Sequence, residues 1–493
     1  MEQSELLSKN TDFNLSALNS SLSLRRKSVS MSPKSTLQFA ISERKVLLRI
    51  FDVVWVLFAL YVVGILFQLE YFSINDHSWR WSLVLAAYLS LFSSIFELYD
   101  LQKASEYYTV LKNVVLASSV TVLFFLLTPV LTPVLPENRV QIIYFYLAIV
   151  FTMLLWRFAY ITLISSPRFY RRVLIIGEPL DVDIIASQLE KSDPNYNIIG
   201  YIKCGGLSLS NETISLSQYP SEDLEDTLKR NGVDEVLISG GSISGPGTPL
   251  YEDIMALVKR GFPVRDYNQV YEEKTHRIPV QHIERNFYKF FPLSRSNENK
   301  FYLFFHRVFD ILISIPGLFL GALLIPFIFF GNLIANKGRL FYKQERVGKN
   351  GRSFQIIKFR TMKDDAEPNG AQWAQKNDVR ITRFGKFLRR SRLDEFPQFY
   401  NILKGEMSLI GPRPERPIFV KELSEMIPFY DTRHFIKPGL TGWAQVMTDY
   451  ANSHADSLEK LQYDLYYIKH RNVFLDITIL TKTMSTVIFF RGQ

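Results

Sequence analysis

The sequence predicts a membrane protein with a four-helix transmembrane bundle, a doubly wound α/β middle domain and an α/β C-terminal domain with a re-entrant membrane helix. Three observations support this architecture. The 493 residues are too many for one compact core. Apolar residues are concentrated in four blocks before Pro167 and one block after Phe305, although the overall hydrophobic fraction of 47% is ordinary. From Arg172 to Tyr267, short apolar runs alternate with helical patterns, as in a parallel sheet.

The N-terminal third, residues 43–167, holds four segments long enough to cross a bilayer core, which takes about 20 helical residues. These segments are Ile50–Leu69, Trp81–Leu98, Val114–Leu131 and Gln141–Ile164. Lysine and arginine cluster before the first, between the second and third, and after the fourth, so both ends of the bundle are expected in the cytoplasm. We expect Asp52 to reach the interface and Arg157 to face other helices. Four buried helices of a soluble bundle are the alternative, which near-continuous hydrophobicity argues against.

Residues 1–42 are polar and rich in serine, which predicts a disordered cytoplasmic tail rather than a cleavable signal. The single cysteine, Cys204, excludes a disulfide framework and a CxxC metal site. The net charge of +9 suits a surface that faces anionic lipid headgroups and phosphate-bearing substrates. Since no recognisable nucleic-acid module is present, no nucleic-acid partner is expected.

Residues 168–270 predict a Rossmann-like domain. A dinucleotide-binding turn after the first strand needs the pattern G-x-G-x-x-G. Only the first glycine, Gly177, is present, and Glu178 and Asp181 would repel a pyrophosphate. We therefore expect a structural or regulatory domain without a bound dinucleotide.

Residues 271–300 predict a linker, and 301–340 predict a membrane segment. The apolar run Val308–Ile334 is broken by Pro316 and Pro326 and has basic residues on both sides. Proline kinks a helix, and two basic flanks place both ends on one membrane face. We expect a re-entrant hairpin, with a fifth span as the alternative. The last apolar stretch, Val473–Phe490, contains charges and is expected to be interfacial or packed.

The remaining domain, residues 341–493, contains adjacent carboxylates at Asp394 and Glu395, next to three arginines. One carboxylate can attack phosphorus while the other holds Mg²⁺. Pro397 predicts that both lie at the N-terminus of a helix, where the dipole favours anions. The alternative is that Asp394 caps a helix and the arginines form a solvated face.

Four further segments contain basic residues, and in most of them these residues lie among turn-forming glycines and prolines. They are Lys343–Gly348, Ile357–Met362, Gly405–Pro414 and Lys437–Val446. With the carboxylate pair, and in this order, they closely resemble the bacterial sugar transferases, the polyprenyl-phosphate hexose-1-phosphate transferases or monotopic phosphoglycosyl transferases. The resemblance covers Phe304 to about Asp476. Four membrane helices and a nucleotide-binding-like domain ahead of it resemble the large form of that family.

The resemblance implies roles for six residues. Asp394 matches the nucleophile, and Glu395 matches the partner carboxylate that holds Mg²⁺. The residues that match the phosphate site are Lys358, Arg389 and Arg413. Asp476 matches an acidic residue near the active site, and we expect it to join Glu395 in binding the metal.

Two positions fit the family pattern less closely. Pro326 matches the proline that breaks the re-entrant helix, but Ile325 replaces the usual serine before it. After Val446 many members continue with a glycine and an arginine, whereas this chain continues with 447–450, Met-Thr-Asp-Tyr. The contacts that select the sugar are therefore left open.

The reaction implied by the resemblance joins a UDP-sugar and polyprenyl (undecaprenyl) phosphate, through a covalent aspartyl-phosphosugar intermediate, with release of UMP. It would be the first membrane step of exopolysaccharide, capsule or O-antigen synthesis, at the bacterial inner membrane with the catalytic domain in the cytoplasm. The rival is a membrane-bound nucleotide-sugar epimerase or dehydratase, which needs a Tyr-x-x-x-Lys pair. No tyrosine from Tyr170 to Tyr288 has a lysine four residues on. The sugar stays undetermined, and a homo-oligomer is left open.

Overall fold

A computed structural model of the chain describes most residues after the N-terminal tail. The described residues are 41–67, 71, 79–100, 103–129, 131–163, 171–177, 179–193, 196–203, 216–220, 224–239, 248–280, 299–335, 339–363, 373, 378–448 and 454–488. Almost all of the predicted tail, the turn residue Glu178, and Asp449 and Tyr450 lie outside them.

The four predicted N-terminal membrane segments all form helices. These are α1 (Ile41–Phe67), α2 (Trp79–Ile95), α3 (Tyr107–Leu127) and α4 (Val140–Leu163). By length and composition, the described chain has four helices able to cross a membrane, which are Arg44–Phe67, Tyr107–Leu127, Val140–Thr162 and Lys300–Ile334. Helix α2 has only 17 residues and packs against α1 and α3.

A buried ion pair joins the first and fourth of these helices. Arg157 donates from Nη2 to Oδ2 of Asp52 at 2.5 Å and from Nε to Oδ1 at 3.1 Å. Its Nη1 donates to the carbonyl oxygen of Leu98 at 2.6 Å. Arg157 thus faces other helices, as predicted. The expectation that Asp52 reaches the interface is wrong, because a carboxylate among apolar side chains is stabilised by pairing with a cation.

The middle domain is a five-stranded parallel sheet with strand order β3-β2-β1-β4-β5, which confirms the doubly wound prediction. Its strands are β1 (Arg171–Gly177), β2 (Tyr196–Lys203), β3 (Gln218–Tyr219), β4 (Glu235–Ile238) and β5 (Val264–Asp266). Its helices are α5 (Pro179–Ser192), α6 (Leu224–Asn231), α7 (Pro249–Lys259) and α8 (Tyr267–Thr275). Alternate β1 residues pack into two separate apolar clusters, because helices cover both faces of the sheet.

The stretch that the sequence assigned to a linker begins with ordered contacts. Helix α8 extends to Thr275. Beyond it, Ile278 and Val280 are buried in the core of the C-terminal domain. The amide of Ile278 donates to the carbonyl oxygen of Gln462 at 3.1 Å. This stretch therefore packs into the domain that follows, and 281–298 lie outside the described residues.

The apolar segment forms one helix, α9 (Lys300–Ala335), with Pro316 and Pro326 inside it. The helix packs tightly against the C-terminal domain. A methyl group added at Gly317 would lie 2.6 Å from the Phe399 ring, and one added at Gly331 would lie 2.3 Å from the Phe384 ring. Only glycine permits this approach. Its re-entrant path stays a prediction.

In its described residues, the C-terminal domain combines two small sheets with six α-helices. The strands β6 (Phe341–Val347) and β7 (Ser353–Phe359) are antiparallel, and β8 (Ser408–Ile410) and β9 (Gly439–Thr441) are parallel. The helices are α10 (Arg383–Arg390), α11 (Gln398–Lys404), α12 (Pro417–Met426), α13 (Trp443–Met447), α14 (His454–His470) and α15 (Val473–Ile488). Helix α15 packs against α2, α13 and β9.

Candidate active site

The carboxylate pair lies in a single 3₁₀ turn, Leu393–Glu395, which joins α10 to α11. The preceding residue, Arg392, has left-handed backbone angles (φ 55°, ψ 17°). Such angles cost a non-glycine residue about 1–3 kcal/mol and recur at functional sites. Both carboxylates are buried, with 7% of Asp394 and 9% of Glu395 exposed.

The predicted helix N-terminus at the carboxylates is wrong in detail. Helix α11 begins at Gln398, and Pro397 precedes it as the capping residue. Asp394 and Glu395 therefore lie before the helix. Because α11 has only seven residues, its dipole does not explain the charge properties of the pair.

Three cations surround Glu395. Lys358 Nζ donates to Oε1 at 3.2 Å, and Arg413 Nη1 lies 3.6 Å from the same oxygen. Arg392 Nη1 donates to Oε2 at 3.2 Å. The structure thus places Lys358 and Arg413 beside Glu395, and their role at the phosphate site stays a prediction.

The two neighbouring carboxylates have pKa values that are pushed apart. Burial raises the pKa of Glu395, but Lys358, Arg392 and Arg413 together outweigh it and hold that pKa well below its usual range. Burial and the charge of Glu395 raise the pKa of Asp394 to about 6, against the opposing effect of nearby cations. Divergent pKa values in a carboxylate pair are typical of catalytic sites, where the two groups have different roles.

Lys358 is positioned by the helix that follows the carboxylates. Asn401 of α11 accepts a hydrogen bond from the amide of Ile357 at 3.2 Å and donates to the carbonyl oxygen of Gln355 at 2.8 Å. These bonds fix β7, which carries Lys358, against α11. Burial lowers the pKa of Lys358, and the charge of Glu395 opposes this.

Arg389 reaches the site from α10 and is held by Thr361, which lies two residues after β7. Its Nε donates to Oγ1 of Thr361 at 2.9 Å. Thr382 caps the start of α10, since its Oγ1 accepts from the amide of Gly385 at 2.9 Å. The charge of Arg389 lowers the pKa of Asp394, which places this cation within electrostatic reach of the predicted nucleophile.

Two of the sequence motifs pair through their backbones to build the Arg413 loop. The amide of Gly411 donates to the carbonyl oxygen of Thr441 at 2.9 Å, and that of Gly439 donates to Pro412 at 2.9 Å. A methyl group at Gly411 would lie 2.4 Å from the carbonyl oxygen of Lys437, so this crossing requires glycine. The motifs are therefore distant in sequence but form one unit.

Two arginines, the buried Arg433 and the partly buried Arg346, fix the backbone of the same loop. Arg433 Nη2 donates to the carbonyl oxygen of Arg413 at 3.1 Å and to Oδ2 of Asp464 at 2.7 Å. Arg346 Nη1 donates to the carbonyl oxygen of Pro414 at 2.9 Å. These bonds hold the Arg413 loop in one conformation.

Asp476 lies in the first turn of α15, against the beginning of α9. Its carboxylate accepts from the hydroxyls of Tyr302 and Tyr467, both at 2.8 Å, and His306 Nε2 lies 3.9 Å away. The contacts that the structure gives for Asp476 do not include either carboxylate of the pair. Its role as a metal ligand stays a prediction.

Mg²⁺ can be held by one or two carboxylates together with substrate phosphates. Within the described ranges, no three or more His, Cys, Asp or Glu side chains gather as a ready metal cage. The adjacent carboxylates Asp394 and Glu395 are suited to hold Mg²⁺ in this way, together with the phosphates of the substrate. Both oxygens of Glu395 already accept hydrogen bonds from cations, and Mg²⁺ at this position stays a prediction.

Two residues of the site were not assigned from the sequence. Arg392 was one of three arginines in the motif, and its spacing of three residues from Glu395 was the available signal. Gln398 is 3% exposed, and its amide nitrogen has no hydrogen-bond partner among the described residues. Gln398 follows Asp394 by four residues and Glu395 by three, and Phe396 and Pro397 between them have right-handed helical backbone angles. Residues at this spacing share a face, so we expect Gln398 on the side of the two carboxylates. As an uncharged residue it gave no signal of its own.

Comparison with known proteins gives consistent matches. Residues 301–490 match the model of the bacterial sugar transferase family. An Aeromonas hydrophila protein named UDP-N-acetylgalactosamine-undecaprenyl-phosphate N-acetylgalactosaminephosphotransferase is 42% identical over 229 residues, covering 46% of this chain and 52% of that protein. A Xanthomonas campestris pv. campestris protein named UDP-glucose:undecaprenyl-phosphate glucose-1-phosphate transferase is 43% identical over 161 residues, covering 32% of this chain and 33% of that protein.

A shorter relative is matched over most of its length. This Bacillus subtilis (strain 168) protein, provisionally named an undecaprenyl-phosphate N-acetylgalactosaminyl 1-phosphate transferase, is 48% identical over 132 residues, covering 27% of this chain and 74% of that protein. By contrast, the match spans about half of the Aeromonas protein. The family model includes the carboxylate pair and the cations around it. This chain belongs to the bacterial sugar transferase family.

Proposed function

We propose that this protein transfers a sugar 1-phosphate from a UDP-sugar to undecaprenyl phosphate and releases UMP. The observation that carries the proposal is the buried pair Asp394 and Glu395, whose pKa values are pushed apart among four cations. Relatives in the same family are named as transferases of a sugar phosphate between a UDP-sugar and undecaprenyl phosphate. The chain would perform the first membrane step of exopolysaccharide, capsule or O-antigen synthesis.

In the first step, a carboxylate oxygen of Asp394 attacks the sugar-bearing phosphorus of the UDP-sugar. The bond between that phosphorus and the bridging oxygen breaks, and UMP leaves with the bridging oxygen. A carboxylate nucleophile must be ionised, and a pKa of about 6 leaves Asp394 ionised near neutral pH. The product is an aspartyl-phosphosugar.

In the second step, a phosphate oxygen of undecaprenyl phosphate attacks the same phosphorus. The bond to Asp394 breaks, and its carboxylate is regenerated as undecaprenyl-diphosphate-sugar forms. Lys358, Arg389 and Arg413 stabilise the negative charge in both steps, since positioned cations act most strongly away from water. When bound at Glu395, Mg²⁺ would supply further neutralisation of the diphosphate.

Gln398 is a further residue that we expect to bind the substrate. A buried amide without a partner costs about 1–3 kcal/mol, and a substrate oxygen would remove that cost. Since Gln398 lies on the face of Asp394 and Glu395, we assign it a hydrogen bond to a phosphate oxygen of the substrate.

The apolar helix keeps this chemistry at the membrane surface. Tyr302, near its beginning, and Gly331, near its end, both contact the C-terminal domain. A helix that stays beside one water-facing domain along this length supports the re-entrant path, with the domain in the cytoplasm. A reporter fused after Gly338 should be cytoplasmic, and a periplasmic signal there would contradict this path.

The direct test is UMP release by the full-length protein in nanodiscs, with UDP-N-acetylgalactosamine, UDP-N-acetylglucosamine, UDP-glucose and UDP-galactose. Without the lipid substrate, the correct UDP-sugar should release up to one equivalent of UMP and leave phosphosugar on Asp394. With undecaprenyl phosphate, release should become continuous. Conversion of the UDP-sugar without UMP release would favour the epimerase or dehydratase instead.

A further inference from the structure

One face of α10 carries a stripe of exposed basic and aromatic side chains. It consists of Arg383, Lys386, Phe387 and Arg390, which are spaced by three and four residues and therefore lie along one side of the helix. Phe387 is 45% exposed. The opposite side buries Gly385 and Leu388. We call these four residues the α10 stripe.

The stripe borders the apolar helix α9. Its neighbour Phe384 packs on Gly331, and the rings of Phe384 and Phe327 lie 6.0 Å apart. The ring of Phe387 follows at 6.3 Å from Phe384. In its C-terminal half, helix α9 exposes large apolar side chains such as Phe330. Helix α9 is long and apolar enough to enter a bilayer, and with α9 in the bilayer the stripe would lie at the level of the headgroups.

A second exposed segment of the same composition follows α9 directly. It contains Arg339, Phe341, Tyr342 and Lys343, and both aromatic side chains are exposed. Across the described part of the chain, no carboxylate pairs with either of its cations or with the three cations of the α10 stripe. Exposed cations elsewhere in the described chain, such as Lys421, also have no carboxylate partner, so the α10 stripe is set apart by its aromatic side chain and by its place beside α9. Unpaired cations beside exposed aromatic rings suit a negatively charged interface.

We infer that the α10 stripe binds the phosphodiester headgroups of anionic phospholipids, such as phosphatidylglycerol, in the surrounding membrane. The cations meet the phosphates, while Phe387 enters the layer below them. The same helix carries Arg389 on another side, toward Thr361. Lipid binding would therefore restrain the helix that supplies a cation to the site. The inference concerns bulk membrane lipid and does not depend on the proposed reaction.

The test places a fluorescent reporter on the stripe of the full-length protein. Because Cys204 is the only cysteine, Cys204→Ser with Phe387→Cys gives one labelling position for an environment-sensitive dye. The labelled protein is compared in nanodiscs of phosphatidylcholine and in nanodiscs of phosphatidylcholine mixed with phosphatidylglycerol. We expect blue-shifted, stronger emission only with phosphatidylglycerol, and a smaller shift at high salt because salt screens the attraction.

Charge variants decide whether the stripe itself is responsible. Arg383→Gln, Lys386→Gln and Arg390→Gln together should abolish the phosphatidylglycerol-dependent shift, and these exposed side chains can change without disturbing the fold. Lys421→Gln, exposed on α12 outside the stripe, should leave the shift unchanged. A circular dichroism spectrum identical to the parent protein establishes that the triple variant is folded.

Three outcomes would overturn the inference. Equal emission in both kinds of nanodisc would show that the stripe does not sense anionic lipid. An unchanged shift in the triple variant would assign the lipid effect to another surface. A shift that appears in phosphatidylcholine nanodiscs only after undecaprenyl phosphate is added, and not with phosphatidylglycerol, would make the stripe a substrate contact instead. The readout is fluorescence, so an inactive transferase would leave it interpretable.

Discussion

Two regions of this molecule bury charged side chains, and they do so in opposite ways. In the membrane bundle, Asp52 meets Arg157, and both side chains are fully buried. The charges balance, and the arginine also donates to a backbone carbonyl. Around Asp394 and Glu395, four cations face two carboxylates. The second cluster has positive charge in excess, which a phosphate substrate can use.

The difference separates a structural ion pair from a chemical site. Removing one member of a buried pair leaves an uncompensated charge, so the fold suffers first. Removing a carboxylate whose pKa is raised by burial relieves desolvation, so the fold suffers little while the chemistry fails. Single substitutions in the active site and in the ion pair of the bundle test this distinction.

Asp394→Asn should have the largest effect. It keeps the size of the side chain but removes the nucleophile, so turnover should fall by roughly 10⁴-fold or more, as when other enzymes lose their nucleophile. The measurement is UMP release with UDP-sugar and undecaprenyl phosphate. An unchanged melting temperature is the control for folding. Near-wild-type turnover would exclude Asp394 as the nucleophile.

Asp52→Asn should act on stability instead. It leaves Arg157 buried without its charge partner, which costs about 3–5 kcal/mol. The apparent melting temperature should fall sharply, while kcat per folded molecule stays the same. Replacing both residues with leucine should recover most of the loss, because a buried pair can be exchanged for apolar packing.

A matched control uses an exposed pair. Asp226 and Arg230 lie 3.7 Å apart on the surface of α6. Such pairs contribute about 0–1 kcal/mol, so Asp226→Asn should barely change the melting temperature. Equal effects of Asp226→Asn and Asp52→Asn would contradict the structural role of the buried pair.

Glu395→Gln should change both rate and pH dependence. The charge of Glu395 raises the pKa of Asp394, so removing it lowers that pKa. In the wild type, kcat/KM should fall as pH drops through about 6, where Asp394 becomes protonated. In the variant this acidic limb should move to lower pH, and the rate near neutral pH should fall about 100-fold as the cations lose their partner.

The pH profile distinguishes two explanations of that loss. A limb that moves to lower pH supports electrostatic coupling between the two carboxylates. A lower rate with an unmoved limb would mean that Glu395 acts without affecting the ionisation of Asp394. Added Mg²⁺ that partly restores the variant would support a metal-binding role for this position.

The active-site residues could be predicted from the sequence, whereas the ion pair of the membrane bundle could not, and the reasons are physical. Asp394 and Glu395 are adjacent, and each predicted cation lies in a short basic segment, so their chemistry is visible locally. Asp52 and Arg157 are separated by 105 residues, and each alone suggests only a costly charge in a membrane. Their pairing depends on how two helices pack, which local patterns do not encode.

The linker shows the same limit at the boundary between domains. The sequence predicts a linker at 271–300, yet Ile278 and Val280 belong to the C-terminal core. Two apolar residues in an irregular stretch carry no periodicity. Arg392 is a further example, since a left-handed backbone at an arginine is imposed by surrounding structure and not by the residue itself.

Among the active-site variants, Gln398→Leu should have the smallest effect, and it tests the boundary between the two kinds of burial. Its amide nitrogen is buried without a partner, so replacing it with an apolar group should not lower the melting temperature. If the amide donates to a charged phosphate oxygen, kcat should fall by roughly 10- to 100-fold, the worth of one such hydrogen bond. Asn401→Leu provides the contrast on the same helical face, because its amide is bonded to Gln355 and Ile357 and its loss should destabilise the fold. The UMP burst of Gln398→Leu, measured without the lipid substrate, shows whether the loss of rate occurs in the first step. A stable Gln398→Leu protein with the wild-type burst and turnover would remove Gln398 from the site and leave its unpaired amide as a structural cost.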